Sequence, residues 1–258
     1  MDKLFATFNY LKYRIRTKNA HDIHSPFVFD LLNNVILDKT PYYGFDFIES
    51  LRSRLILNER KINVKDFGTG KPQRQELVSE IAQKAVKPKK YAQLLFRLVN
   101  RFCSENILEF GTSLGITTLY LSIPNKNSRI ITLEGSPEIA AIAKENFDKM
   151  KRSNIEIIGG EFDESLPKAL SKFTQLDLVY FDGNHRKNPT LSYFEKCLNL
   201  STANSIFIFD DIHWSREMKA AWEEIKENSS VTLSIDLFQI GLVFFKKGFV
   251  KQHFTLRF

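Results

Sequence analysis

Hydrophobic positions along this chain change their period near residue 90. Before it they recur at three- and four-residue steps; beyond it short apolar runs alternate with helical patterns. Leu4, Phe5, Phe8, Leu11 and Ile15 trace one stripe, with Lys12, Arg14, Arg16 and Lys18 mainly off it, which predicts an amphipathic helix. "HSPFVFDLLNNVIL" predicts a second helix, because Ser25 can cap it and Pro26 suits its first turn. "FDFIESLRSRLIL", "QELVSEIAQKAV" and "YAQLLFRLVNRF" predict a third, fourth and fifth. The runs at 107–110, 129–134, 155–159, 176–182 and 205–210 then read as strands, with helices at 115–122, 137–150, 163–172, 190–200 and 215–227. Such alternation places strands in parallel. "VTLSIDLF" and "GLVFFKK" predict two last strands, and the short "QI" between them allows only an antiparallel reversal. The expected fold is α/β: an open, doubly wound, mostly parallel sheet of about seven strands ending in an antiparallel hairpin. Residues 1–89 form an N-terminal helical extension and residues 90–258 the α/β domain.

Two glycine turns compete for a ligand: "KDFGTGKPQRQ" at 65–75 and "NILEFGTSLGITTLYL" at 106–121. An adenosine site needs a hydrophobic strand, a glycine turn that lets backbone approach the ligand, and an acid ending the next strand to grip ribose hydroxyls. The second stretch has all three: "ILEF", then Gly111 and Gly115, then Glu134 about 20 residues further on. The first fails. "INVKDF" is a weak strand, no strand ending in a carboxylate follows at the required distance, and Lys71 precedes Pro72 where a P-loop needs Ser or Thr. "FGTGKP" is expected to be a connecting turn, with a lid over the site as the alternative. In the second turn Ser113 fills the centre and the third glycine of the nicotinamide-dinucleotide pattern is missing, so a ligand without pyrophosphate fits better. Glu109, just before the turn, can meet an ammonium group directly or through water. S-adenosylmethionine has both properties, no phosphate and a charged amino acid end.

"EFGTSLGITTLYL", "ITLEGSPEIAAIAKENF", "IIGGEFDESLP" and "LDLVYFDGNH" together resemble a class I S-adenosylmethionine-dependent methyltransferase. Their order and spacing are most similar to the catechol/caffeoyl-type O-methyltransferases, over residues 90–246. Around "HSPFVF" the first 90 residues resemble an N-terminal extension seen in members of that superfamily. The resemblance implies a Rossmann-like sheet, S-adenosylmethionine as cofactor, and O-methylation of a small hydroxylated molecule; the N-terminal helices are expected to cover the substrate mouth. It implies that Gly111, Thr112, Ser113 and Gly115 line the methionine part of the cofactor, with Glu109 and Gly135 beside it. Glu134 would take both ribose hydroxyls, Glu161 would meet the adenine amino group, Phe162 would flank the ring, and Asp182 would border the cofactor. Asp182, Asp210 and Asp211 match the positions that hold a magnesium-like ion, and oxygen ligands suit such a hard ion. Two departures leave the chemistry open: Asp211 stands where the family has Asn, and His185 where it has Lys. The carboxylates with His185 and His213 can take a softer divalent ion, or work without metal, one histidine acting as general base. Asp182, His185 and His213 are the catalytic candidates.

With 258 residues, 43% of them hydrophobic and 26% charged, the chain can bury an ordinary globular core. No run of about 18 uncharged apolar residues occurs, so no transmembrane helix is expected. The first 20 residues lack an uninterrupted apolar core and a small-residue cleavage site, so a cytoplasmic protein is expected. Cys103 and Cys197 form no CxxC pair and are expected to be buried thiols. The net charge of +7 is spread thinly, with short clusters at 87–90 and 149–152, and no RNA-binding signature with interleaved aromatics appears. Methylation of a nitrogen or of RNA is the second reading. Against it, enzymes acting on base amino groups carry an Asn/Asp-Pro-Pro-aromatic turn where this chain has "DGNH". A cofactor-binding module that assembles with a partner through its aromatic N-terminus is the third. A small-molecule substrate is the expected partner; nucleic acid and a second copy of the chain stay open. "HDIH" at 21–24 is expected to pack or cap rather than ligate metal.

Overall fold

The structure is a computed structural model. It describes residues 3–17, 23–65, 74–248 and 250–258, with side chains from Thr7 onward. His21 and the turn "FGTGKP" lie outside the described residues, and His24 is exposed. In chain order come α1 (Lys3–Arg16), α2 (Pro26–Leu31, continued by a π-helical turn, Leu32–Ile36), α3 (Gly44–Ile56), β1 (Lys61–Val64), β2 (Arg74–Leu77), α4 (Val78–Lys84) and α5 (Lys89–Phe102). Then β3 (Asn106–Phe110), α6 (Ile116–Ser122), β4 (Arg129–Glu134), α7 (Pro137–Lys149), β5 (Ile155–Gly159) and α8 (Phe162–Leu170) alternate. The rest is β6 (Leu176–Phe181), α9 (Lys187–Leu198), β7 (Ser201–Asp210), α10 (Arg216–Glu227), β8 (Leu233–Asp236), β9 (Ile240–Phe244) and β10 (Gln252–Thr255). These elements form two compact units, residues 39–174 and residues 1–38 with 175–258.

In residues 39–174, β3 pairs with β4 and β4 with β5, both parallel. Ile107, Leu108 and Phe110 are buried, as are Ile130, Ile131 and Leu133, the near-continuous apolar run of strands covered on both faces. α6 is buried all round, and its Tyr120 hydroxyl donates to Glu49 Oε1 of α3 at 2.8 Å. β1 and β2 correct the sequence reading. They pair antiparallel from Lys61 opposite Leu77 to Val64 opposite Arg74, so the expected fourth helix starts only at Val78. The cause is tertiary: Ile62 and Val64 alternate inward, and Asn63 donates through its backbone N–H and its side-chain amide to Glu138 of α7, each at 2.9 Å. Cys103 is a second correction. It caps α5 in the left-handed region, φ 49°, and is exposed, whereas Cys197 is buried.

In the other unit β6 and β7 are parallel, β7 and β9 antiparallel, β9 and β8 antiparallel, and β8 and β10 parallel. The β8–β9 hairpin is the one the sequence predicts. β10 is an additional strand, unannounced because its side chains are mostly polar and only Phe254 turns inward. Ser25 caps α2 as expected, accepting from Val28 N–H at 3.4 Å. α1 is anchored by Tyr13, whose hydroxyl donates to the Leu256 carbonyl at 2.6 Å, and by Asn9, which accepts from Lys219 at 2.8 Å. The chain has the expected α/β fold, strands mostly parallel and the last hairpin reversed. Among the described residues no helix is long and apolar enough to cross a membrane.

Candidate functional site

Residues 39–174 contain the glycine turn. At the end of β3 the chain leaves the strand through Gly111, φ 88°, whose N–H donates to the Leu133 carbonyl at 3.0 Å; Thr112 N–H shares that acceptor at 3.1 Å. Ser113 is left-handed, φ 47°, and its N–H points at Glu134 Oε2, 2.9 Å away. Glu134 Oε1 accepts from Ser136 N–H at 2.9 Å, and Gly135 N–H bonds the same carboxylate. Burial raises the Glu134 carboxyl above its ordinary value while these N–H groups hold it down. A carboxylate offers about four lone-pair directions, so acceptor capacity remains for hydroxyl donors. A non-glycine residue held left-handed costs energy that surrounding bonds must offset, a frequent mark of a ligand site.

Beneath the turn lies Glu109, fully buried. Its Oε2 accepts the Thr118 and Thr132 hydroxyls at 2.5 and 2.7 Å, and Thr132 is in turn 2.7 Å from the Thr112 hydroxyl. Among the described residues its Oε1 finds no hydrogen-bond partner. Burial pushes the carboxyl up to about 7, against the two threonine hydroxyls, with a smaller push from the Glu134 charge. Because this value lies above the ordinary one, the fold favours protonated Glu109: its contribution is whole at acid pH and is lost as pH rises through about 7. Glu109→Gln is therefore expected to be more stable than wild type at pH 8 than at pH 5, by up to about 3 kcal/mol in urea unfolding without ligand. An equal difference at both pH values would contradict this. Glu161 starts α8 and is exposed, outside the bonds around Glu134. Phe162 packs edge-on against Phe110, ring centroids 5.5 Å apart.

In the other unit, Asp182 follows β6 and Asp210 ends β7, with Asp211 next to it. Tyr180, fully buried, donates its hydroxyl to Asp182 Oδ2 at 3.0 Å. Burial first, then the charges of Asp182, Asp210 and Asp211, hold the phenol well above its usual value, so it stays a donor. His185 Nε2 is 3.6 Å from Asp182 Oδ1. His213 Nε2 lies 2.7 Å from Asp236 Oδ2, and the ring stacks on Phe238 at 5.3 Å. Asp211 and Phe238 are both left-handed, φ 52° and 73°, and Asp236 Oδ1 steadies the second bend by accepting Phe238 N–H at 2.8 Å. These bends frame a cavity of about 360 Å³ lined by Thr7 and Tyr10 of α1 with Asp211, His213, Trp214 and Phe238.

The structure thus brings Glu109, Gly111, Thr112, Ser113, Glu134 and Gly135 into one bonded network, with Gly115 N–H closing the turn on the Thr112 carbonyl at 2.9 Å. It sets His185 and the Tyr180 hydroxyl beside Asp182, and pairs His213, which lines the cavity with Asp211, with Asp236. Among the described residues no three His, Cys, Asp or Glu side chains are placed to hold a metal ion. Sequence reasoning missed Tyr180, Asp236 and Tyr10. Only Tyr180 leaves a local signal: two residues before Asp182 on a strand, it shares that residue's face.

Residues 108–212 match a family described as a methyltransferase domain. A catechol O-methyltransferase of Niastella koreensis is 33% identical over 127 residues, 48% of this chain and 55% of that protein. The chain spans about half the length of the curated relatives it matches. An O-methyltransferase of Bacillus cereus in complex with SAH superposes with a TM-score of 0.57 at 20% identity, covering 90% of this chain and 99% of the other. TomG, an O-methyltransferase of Streptomyces achromogenes in complex with SAM, gives 0.58 at 16% identity, over 85% and 95%. These likenesses fix the fold, and the matched segment spans the glycine turn, Glu134 and the β6 and β7 ends alike. Residues 108–212 thus resemble a methyltransferase domain, and the chain shares its α/β fold with these solved O-methyltransferases.

Proposed function

We propose that the chain is an S-adenosylmethionine-dependent O-methyltransferase acting on a small hydroxylated acceptor. Residues 90–258 are assigned the transfer domain, and residues 1–89 an extension whose first helix closes the acceptor cavity. One arrangement carries the reading: the turn pinned to Glu134 stands above a buried carboxylate whose Oε1 has no partner among the described residues. A buried acceptor left without a donor is costly, and the ammonium end of an amino acid moiety relieves that cost at Glu109. The cofactor supplies a methyl group already activated on a sulfonium. What the protein must add is position and a place for the acceptor's proton. Glu134 grips the ribose; Glu161 and Phe162 are assigned the adenine rim.

Asp182, kept as an acceptor by the Tyr180 hydroxyl, is assigned the acceptor's proton, with His185 beside it. His213 is assigned to shaping the cavity, since Asp236 and Phe238 engage it. A divalent cation among Asp182, Asp210 and Asp211 does not fit the side chains as they stand, because among the described residues no three donors are placed to hold one. No step is therefore drawn through one.

Calorimetry tests the reading. The full chain should bind S-adenosylmethionine and its demethylated product at micromolar concentration, and transfer labelled methyl to a phenolic acceptor. Binding without transfer to any hydroxylated acceptor would favour a cofactor-binding module; binding of neither molecule would defeat both.

A further inference from the structure

The inward face of α1 is spoken for; its outward face is not. Asn9 and Tyr13, one turn apart, are buried against their own unit, and Tyr10 meets Phe238 with centroids 5.1 Å apart. Phe8, Leu11 and Ile15 share another stripe and are 64%, 56% and 85% exposed. Three large apolar side chains on one helix, left in water, exceed the scattered exposure ordinary for a surface. Beside them run Lys12, Arg14 and Arg16, all exposed, and α1 contains no acidic residue. Among the described residues no carboxylate pairs with these three cations. Lys219 adds a fourth charge next to them: its ammonium is lowered first by burial and then by Lys12 and Arg16.

We propose that α1 docks the protein on an anionic lipid surface, Phe8, Leu11 and Ile15 entering the acyl boundary and Lys12, Arg14 and Arg16 meeting the headgroups. Apolar side chains on one stripe with cations alongside are what an interfacial helix needs. Charge decides between occupants. A second copy packed on the same stripe by a twofold would bring the cations of both helices together, and like charges at an interface are repelled. Nucleic acid would neutralise the cations and leave the stripe in water. Only an anionic bilayer satisfies both faces. Thr7 and Tyr10 of the cavity lie beside that stripe on the same helix, Thr7 one turn before Leu11, so docking would set that cavity at the membrane boundary.

The test uses the full chain with vesicles of phosphatidylcholine alone and of phosphatidylcholine with phosphatidylglycerol, read by cosedimentation. Binding should be at least ten-fold stronger to the anionic vesicles and should fall as salt rises. Leu11→Glu with Ile15→Glu, both at exposed positions, should lose it at least ten-fold at an unchanged unfolding midpoint. Lys12→Glu with Arg16→Glu should lose at least twenty-fold, at about five-fold per cation near a charged surface. The proposal is overturned by equal or absent binding to both vesicles. It is also overturned if the charge variant loses binding while the apolar one keeps it. A dimer in light scattering that Ile15→Glu splits, without vesicle binding, would give the face to a second copy instead.

Discussion

Glu134→Ala is expected to weaken S-adenosylmethionine binding about a hundred-fold. A hydrogen bond to a charged group contributes about 1.5–3 kcal/mol, and two ribose hydroxyls meeting one carboxylate place the loss near 3 kcal/mol. The same carboxylate also holds the turn, through Ser113 and Ser136 N–H at 2.9 Å each, so affinity alone would not separate a lost ligand contact from a relaxed turn. A cofactor analogue lacking one ribose hydroxyl separates them. Wild type should bind it more weakly than the parent compound, and Glu134→Ala should bind the two equally. Glu134→Gln should fall between, because one carbonyl oxygen remains while the new amide group faces a backbone donor. Calorimetry on a variant that keeps its unfolding midpoint is the measurement. Unchanged affinity for the parent compound in Glu134→Ala would remove the basis of the cofactor assignment.

The parts of this site that were legible in sequence are those whose chemistry is local. Gly111 and Gly115 announce themselves because the turn needs φ 88° and 81° there. Glu134 does so because the end of a strand in an α/β sheet faces the ligand side. Helix caps such as Ser25 and the β8–β9 reversal are likewise decided within a few residues. What stayed hidden depends on partners far away. β1 exists because Asn63 finds Glu138, and His213 meets Asp236, which lies beyond α10 at the end of β8. The cavity joins Tyr10 to Trp214 and Phe238, a juxtaposition no window of sequence contains. Orphan atoms such as Glu109 Oε1 are also invisible without coordinates, since "ILEF" reads as strand whether its acid is bonded or not.

Gly115→Ala is expected to cost the fold about 2–5 kcal/mol, a large fraction of the stability of an ordinary domain. Two independent penalties add. A left-handed backbone, φ 81°, costs a residue with a Cβ about 1–2 kcal/mol. That Cβ would also stand 2.5 Å from Phe147 Cε1 and 2.9 Å from Cζ, a separation no side chain tolerates. Phe147 is fully buried on α7, so either its ring or the turn must shift against packed neighbours, with an overpacking cost of about 1–3 kcal/mol. If the turn moves, Ser113 N–H leaves Glu134 and the cofactor contacts go with it. Urea unfolding should show a lower midpoint with an unchanged slope, and any folded fraction should bind S-adenosylmethionine weakly. Gly115→Ala with Phe147→Leu should regain part of the stability, because the second change clears the collision, but not all of it, because the backbone term persists. Full recovery in the double variant would mean that steric contact alone dictates glycine at this position.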